Sequence, residues 1–239
     1  MKGWAEDLLT ITNGDKSENE HALFGKIEAA ARGLGFEYCA YGLRLSLPLT
    51  RPKTIMLNNY APAWQARYAQ AGYLGIDPTV LHGRRSNAPL LWSDTVFTET
   101  QELWTEARSQ GLRVGWAQSC LDGCGVGGML TLVRSGEPLT KSELASKELK
   151  MRWLVNIAHL SLTRVLAHEI HGEREVMLTR RETEILKWHA DGKTSCEISE
   201  ILTISVDTVK FHTKNAVMKL GAANKTAAVV KAAMLGLLN

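Results

Sequence analysis

Apolar positions recur along this chain at two different periods, and the change of period divides it. From Leu178 to Leu238 they fall at helical spacing in four short blocks. Thr179 precedes the first block with Glu182 three residues later, and Thr194 with Glu197 repeats the pattern. Each is a capping box, in which a hydroxyl and a carboxylate satisfy the free N–H groups of a helix start. Gly192 stops the first helix. The second is predicted over residues 195–202, with Ile198, Ile201 and Leu202 as its buried stripe. Residues 203–205 form a tight turn, Ser205 caps a third helix, and Asp207 suits that helix's dipole. On the third helix Val206, Val209, Thr213, Ala216, Val217 and Leu220 share one side. Asp207, Lys210, Phe211, Lys214 and Met218 share the other. A fourth helix is predicted over residues 224–235, with Ala227, Val230 and Met234 as a core stripe or a dimer seam. The middle two helices and their turn make a helix-turn-helix.

Earlier in the chain, helical and alternating segments interleave. Residues 22–34 are amphipathic and Gly35 ends them; residues 36–45 alternate as a strand. A short strand at 55–58, a helix at 61–71 with Pro62 in its first turn, and a short strand at 89–92 follow. A helix at 99–110 is closed by Gly111. Segments 112–121 and 127–134 read as a hairpin across Asp122–Gly123, and a long helix at 141–165 closes the region. The fold class is α+β: an N-terminal α/β/α sandwich around an antiparallel sheet, and a C-terminal all-α four-helix domain. The predicted divisions are residues 1–167, a linker at 168–176, and residues 177–239.

The bulk properties narrow the function. With 239 residues there is room for two ordinary domains. No apolar run approaches the roughly 18 residues of a membrane span, and the start, MKGWAEDLLT, is not a signal peptide. Cys39, Cys120, Cys124 and Cys196 show no disulfide framework, and no second pair completes a metal site. A reduced, cytoplasmic protein without a membrane partner is expected. The net charge is only +3, but no acidic side chain follows Asp207 while Lys210, Lys214, Lys219, Lys225 and Lys231 do. A basic end on a small helical domain suits a phosphate backbone.

Lys210 and Lys214 lie one turn apart on an exposed edge, as a major groove requires; a solvated surface helix is the plainer alternative. Thr208 and Asn215 are placed for phosphate or base contacts. Phe211 either touches thymine methyls or packs under the helix edge. In the first domain Tyr60, Trp64, Tyr68, Tyr73, Trp92, Trp104 and Trp116 gather within about 60 residues. They form either an aromatic core or a lined cavity. Asp77 stands in the apolar run GIDPTV, so if buried it needs a donor; it is either a cap or an acceptor for a ligand. No catalytic constellation emerges: His82, His159, His168, His171 and His189 have no ordered acid or nucleophile partner. Gly123, Gly125, Gly127 and Gly128 lie in a hairpin, not before a helix, so they do not cradle phosphate. An enzyme is not expected, and no cofactor or metal.

With these residues in view, the chain resembles a LuxR-type quorum-sensing regulator over about residues 20–238. Glu182, Leu186, Gly192, Glu197, Ile198, Thr208, Val209, Lys219 and Leu220 carry the C-terminal resemblance. The stretch NYAPAWQARYAQAGYLGIDPTV, then Trp92 and Gly115, is similar to the receptors for N-acyl homoserine lactones. The resemblance implies roles. Trp64 would donate to the lactone carbonyl, and Asp77 would accept from the amide N–H. Tyr60 would donate to the amide carbonyl, with Thr131 helping. Tyr68, Trp92 and Trp104 would wall the pocket, and Ala40, Gly42, Leu112 and Met129 would lie near the ligand. Lys210 and Lys214 would meet bases or phosphates. Arg44 stands where some members are apolar, which leaves chain length open. The implied partners are an inverted-repeat DNA operator, a small autoinducer and a second copy of the chain. Activation would also require a surface for RNA polymerase, which no motif marks. The alternative is a helix-turn-helix factor whose sensor binds another small ligand or a protein.

Overall fold

The computed structural model describes residues 11–12, 19–45, 47–50, 52–121, 126–166 and 176–238. The bulk of the first 167 residues makes one compact unit, and residues 168–239 belong to another. The first is the expected sandwich. Its elements are α1 (Glu20–Gly33), β1 (Tyr38–Arg44), β2 (Thr54–Asn58), α2 (Pro62–Gln70), a 3-10 turn (Tyr73–Gly75) and α3 (Pro78–Gly83). Then come β3 (Leu90–Leu91), α4 (Gln101–Ser109), β4 (Val114–Leu121), β5 (Gly127–Arg134) and α5 (Lys141–Val165). The strands form one antiparallel sheet in the order β2-β1-β5-β4-β3.

Both sheet faces are covered, which is why β1 shows less polar alternation than a half-buried strand. Cys39, Tyr41 and Leu43 are buried on one face beside Leu130 and Leu132 of β5, and α1 and α5 pack there. Ala40, Thr131 and Ala117 align across the opposite face, with Gly42, Met129 and Ser119 in the next row. α3 packs on this second face: a Cβ at Gly83 would lie 2.8 Å from Met129 Sδ. The sequence reading lacked α3 and the 3-10 turn because both are too short to show a period. Strand and helix ends are otherwise trimmed by a few residues; residues 168–175 of the expected linker and the Asp122–Gly123 turn lie outside the described residues.

The second unit holds α6 (Arg180–Ala190), α7 (Ser195–Leu202), α8 (Val206–Lys219) and α9 (Lys225–Met234). Both capping boxes are formed, Ser205 caps α8, and Gly192 has φ 83°. Thr203 closes α7 with φ 52°, the left-handed conformation that lets so short a turn redirect the chain. Two expected stripes need correction. Ile201 is 43% exposed, because only Ile198 of α7 is fully sealed against Ile185 and Val209. On α9 Val230 and Met234 are exposed and Ala227 half-buried, while Ala228 and Ala232 pack on Leu186, Ala216 and Leu220. Small side chains take the inner face here because the helices approach closely.

Trp92 donates its backbone N–H to the Gly115 carbonyl at 2.8 Å, and its indole lies over Gly115, where any Cβ would enter the ring. Gly115→Ala is expected to destabilise the first unit by about 1–3 kcal/mol through overpacking, read as a lower melting temperature. An unchanged melting temperature would show that the indole is not seated there.

Candidate functional site

The second sheet face carries an aromatic cluster contributed by four separate segments. α2 supplies Trp64 and Tyr68, the 3-10 turn supplies Tyr73, and the segment after β3 supplies Trp92 and Phe97. α4 adds Leu103, Trp104 and Ala107. Trp64 and Tyr68 meet edge-on at 5.8 Å, Trp92 meets Trp104 at 6.1 Å, and Phe97 stacks flat on Trp104 at 4.5 Å. The Trp104 ring N–H donates to Asp94 Oδ1 at 2.6 Å, so this indole is fixed from outside. Tyr60 lies against Tyr38 at 6.3 Å on the β1 side. Leu112 and Val133 complete the packed base.

Asp77 is the polar centre. It is only 9% exposed and caps α3: Oδ1 accepts from the Thr79 backbone N–H at 2.8 Å and from the Thr79 hydroxyl at 2.7 Å. Oδ2 accepts from the Tyr68 hydroxyl at 2.8 Å. The capping role raised by the sequence is formed, and the second oxygen is joined to the aromatic cluster through Tyr68. Burial pushes its pKa up, and the bonds from Thr79 and Tyr68 offset this only in part. Burial also raises the Tyr60 and Tyr68 hydroxyls, with Asp77 adding to both, so they are neutral donors. Oδ2 takes the Tyr68 bond, and a carboxylate oxygen can accept two. The Tyr60 hydroxyl, the Trp64 and Trp92 ring N–H groups and the Thr131 hydroxyl make no hydrogen bond to another described residue. Donors in apolar surroundings beside an acceptor with spare capacity suit a neutral ligand bearing carbonyl oxygens and an N–H or O–H, with an apolar remainder.

Of the first-domain aromatics gathered from sequence, Trp116 lies instead on the opposite face, across from Leu132, because the strand alternation turns it into the core beneath α1 and α5. Tyr60, Trp64, Tyr68, Trp92, Trp104 and Leu112 are in the cluster, and Asp77 joins it through Tyr68. Ala40, Gly42, Met129 and Thr131 share the sheet face beneath it. Tyr73, gathered with the aromatics from sequence, is in the cluster, while Tyr38 and Phe97 were missed. Phe97 stands in TVFTET, which has no periodicity to mark it.

In the second unit Lys210, Lys214 and Phe211 are exposed together on α8, with Phe211 at 60%. Thr208 and Asn215 are half-buried, and the Thr208 hydroxyl bonds Ser205 Oγ at 2.8 Å within the cap. The helix is held from behind. Lys219 Nζ donates to Glu182 Oε2 at 2.7 Å, and His189 Nε2 meets Thr213 Oγ1 at 3.1 Å. Burial would raise the Glu182 pKa, but bonds from Lys219 and Thr179 outweigh it and hold the group below the usual range. His189 is pushed down by burial, favouring the neutral ring.

Comparisons with known proteins agree with both units. The family described as "Autoinducer binding domain" matches residues 19–162, and "Bacterial regulatory proteins, luxR family" matches residues 176–232. The transcriptional activator protein AnoR of Acinetobacter nosocomialis is 45% identical, over 100% of both chains. The crystal structure of Escherichia coli SdiA superposes with a TM-score of 0.85 at 36% identity, covering 100% of this chain and 98% of that one. SdiA in complex with octanoyl-rac-glycerol gives 0.84 at the same identity, covering 100% and 96%. The N-acylhomoserine lactone dependent factor CepR2 of Burkholderia cenocepacia gives 0.63 at 34% identity, covering 69% of this chain and 95% of that one.

The buried Asp77 has a measurable signature. Because burial raises its folded-state pKa, the folded protein holds this proton more tightly than the unfolded chain. The group's contribution to stability is then fullest below the ordinary aspartate range and is lost as pH rises through the raised value. Asp77→Asn keeps a capping side chain and removes the titration. Its melting temperature relative to wild type should rise as pH increases from the ordinary aspartate range and level off at lower pH. Parallel melting curves over that range would show that the carboxylate is not desolvated.

Proposed function

This chain belongs to the LuxR family of quorum-sensing transcriptional regulators, and from that premise we propose that an N-acyl homoserine lactone held by its first domain governs operator binding by its helix-turn-helix. The family is not one of enzymes. The observation that carries the ligand reading is the convergence of Tyr60, Trp64, Asp77, Trp92 and Thr131 on one sheet face with donor groups uncommitted. In this reading residues 1–167 bind ligand and dimerise, 168–176 link, and 177–239 bind DNA.

The chemistry assigns each contact. Trp64 donates its indole N–H to the lactone carbonyl. Tyr60 donates to the amide carbonyl, with the Thr131 hydroxyl as second donor. Asp77 accepts the amide N–H on Oδ2, beside the Tyr68 hydroxyl that already bonds it. A charge-assisted bond of this kind contributes about 1.5–3 kcal/mol. Tyr68, Trp92 and Trp104 enclose the head group, and the acyl chain runs over Ala40, Gly42, Leu112 and Met129. Each methylene it buries adds about 0.8 kcal/mol. A second reading has specific support, since SdiA holds octanoyl-rac-glycerol. An acylglycerol has no amide N–H, so a hydroxyl would have to serve Asp77 in its place.

Support for a homodimer comes from α5, where Leu149, Trp153 and Leu160 are 68%, 56% and 66% exposed. Their spacings of four and seven put these large apolar side chains on one stripe, which a second copy of the chain would cover. Two copies present two α8 helices, which suits an inverted-repeat operator. Lys210 and Lys214 provide phosphate or base contacts, Phe211 an apolar contact, and Thr208 and Asn215 polar contacts at the helix edge. The protein acts in the cytoplasm, where DNA is.

Fluorescence anisotropy on labelled duplexes tests the coupling. Lactone should tighten binding to a duplex selected from a randomised pool. Lys210→Ala and Lys214→Ala should weaken DNA binding and leave lactone uptake intact. Each lost phosphate contact should lower the salt slope by about 0.9. Loss of lactone uptake in either variant, or unchanged DNA binding in both, would contradict the division of labour.

A further inference from the structure

α2 and α4 come from distant parts of the sequence, yet together they roof the aromatic face. α2 brings Trp64 and Tyr68, and α4 brings Leu103 and Trp104. Among the described residues no backbone hydrogen bond runs between these helices. Side chains on their outer, watery side join them instead. Arg67 of α2 grips Glu106 of α4 with both arms of its guanidinium, Nε to Oε2 at 2.8 Å and Nη2 to Oε1 at 2.7 Å. Nη2 also reaches Glu102 Oε1 at 3.1 Å, one turn along α4. The Tyr73 hydroxyl donates to Glu106 Oε2 at 3.0 Å, and the guanidinium lies 5.6 Å from the Tyr73 ring centre. That ring is buried and packs on Trp64 at 6.1 Å and Tyr68 at 5.8 Å.

One network therefore has its charges in water and its ring among the site aromatics. Parting α2 from α4, the movement that would uncover the face between Trp64 and Trp104, must break the Arg67–Glu106 fork. Exposed ion pairs generally contribute little. This one is bidentate, has a third partner in Glu102, and is backed by a buried tyrosine, which are the conditions under which such pairs count. We propose that Arg67 and Glu106, with Tyr73 between them, form a latch that sets how long a ligand stays beneath α2 and α4. The proposal rests on the ligand reading above. Arg67 and Glu106 are positioning residues: they hold the roof, and the contacts assigned to the ligand belong to other side chains.

The test measures ligand release from the full-length protein. The probes are N-octanoyl homoserine lactone and octanoyl-glycerol, followed by tryptophan emission on rapid dilution and on mixing. Glu106→Gln keeps the shape and removes the charge; Arg67→Met keeps the stem and removes the fork. Both should release the bound probe about three- to tenfold faster, with association changed less than about twofold. Raising salt from about 0.05 to about 0.5 M should hasten release from wild type and do so much less in Glu106→Gln. A purely structural role would instead lower the ligand-free melting temperature and leave the salt response of release unchanged. If Arg67→Met fails to fold, Glu106→Gln alone decides. Equal release rates and equal salt response in Glu106→Gln and wild type would overturn the latch. Failure of both probes to bind wild type is a separate outcome, which overturns the ligand reading and the latch with it.

Discussion

A carboxylate removed from water has to be surrounded by donors, and the first domain is arranged around that requirement at Asp77. Pro78 starts α3 immediately after it, so the carboxylate caps the helix through Thr79 while the backbone turns. Tyr68, one helix away, takes the other oxygen. Tyr68 packs against Trp64 and Tyr73, and Tyr73 is tied to α4. Through this chain of contacts one buried charge fixes α2, α3 and the 3-10 turn. Burial pushes the Asp77 pKa up despite these bonds. In the proposed reading a ligand N–H adds a further donor to this carboxylate, where α2 and α3 meet.

The floor of the site obeys a different constraint. A ligand can lie on a sheet face only where side chains are short, and the row Ala40–Thr131–Ala117 supplies that, with Gly42 and Ser119 beside it. Gly115 admits the Trp92 indole directly over the strand. On the opposite face the same strands carry Tyr41, Leu130, Leu132 and Trp116 beneath α1 and α5. One sheet thus presents a solid face to the core and a shallow face to the aromatic cluster, by alternation along each strand. In the second unit the constraint is again helix ends. Two capping boxes and Ser205 set the starts of three short helices, and Glu182 joins the first of them to Lys219 at the end of α8. That fastening leaves Lys210, Phe211 and Lys214 facing outward.

Much of this was legible in the sequence because the signals were local. The caps at Thr179, Thr194 and Ser205 sit at fixed offsets, and the two sides of α8 follow from its period. The long helix at 141–165 matched α5 end to end. What failed was set by tertiary contact. Ala228 and Ala232, rather than Val230 and Met234, face the core because interhelical distance, not hydrophobicity, selects the side. Ile201 is apolar and on period, yet α7 is only two turns long and its neighbours do not reach it. The proposed contacts Tyr60, Trp64 and Asp77 come from the family resemblance and the oddity of an aspartate in an apolar run. The Arg67–Glu106 fork gave no signal, since its partners are 39 positions apart and each alone resembles an ordinary surface charge.

The central claim is that Asp77 is a buried acceptor awaiting a ligand donor. It is tested most directly by thermal melting of the full-length protein against N-acyl homoserine lactones of graded chain length, with Asp77→Asn alongside. The account predicts a rise in melting temperature that depends on chain length in wild type and is much reduced in Asp77→Asn, while the ligand-free variant stays folded. An equal rise in both proteins, or none in folded wild type with any lactone, would contradict it.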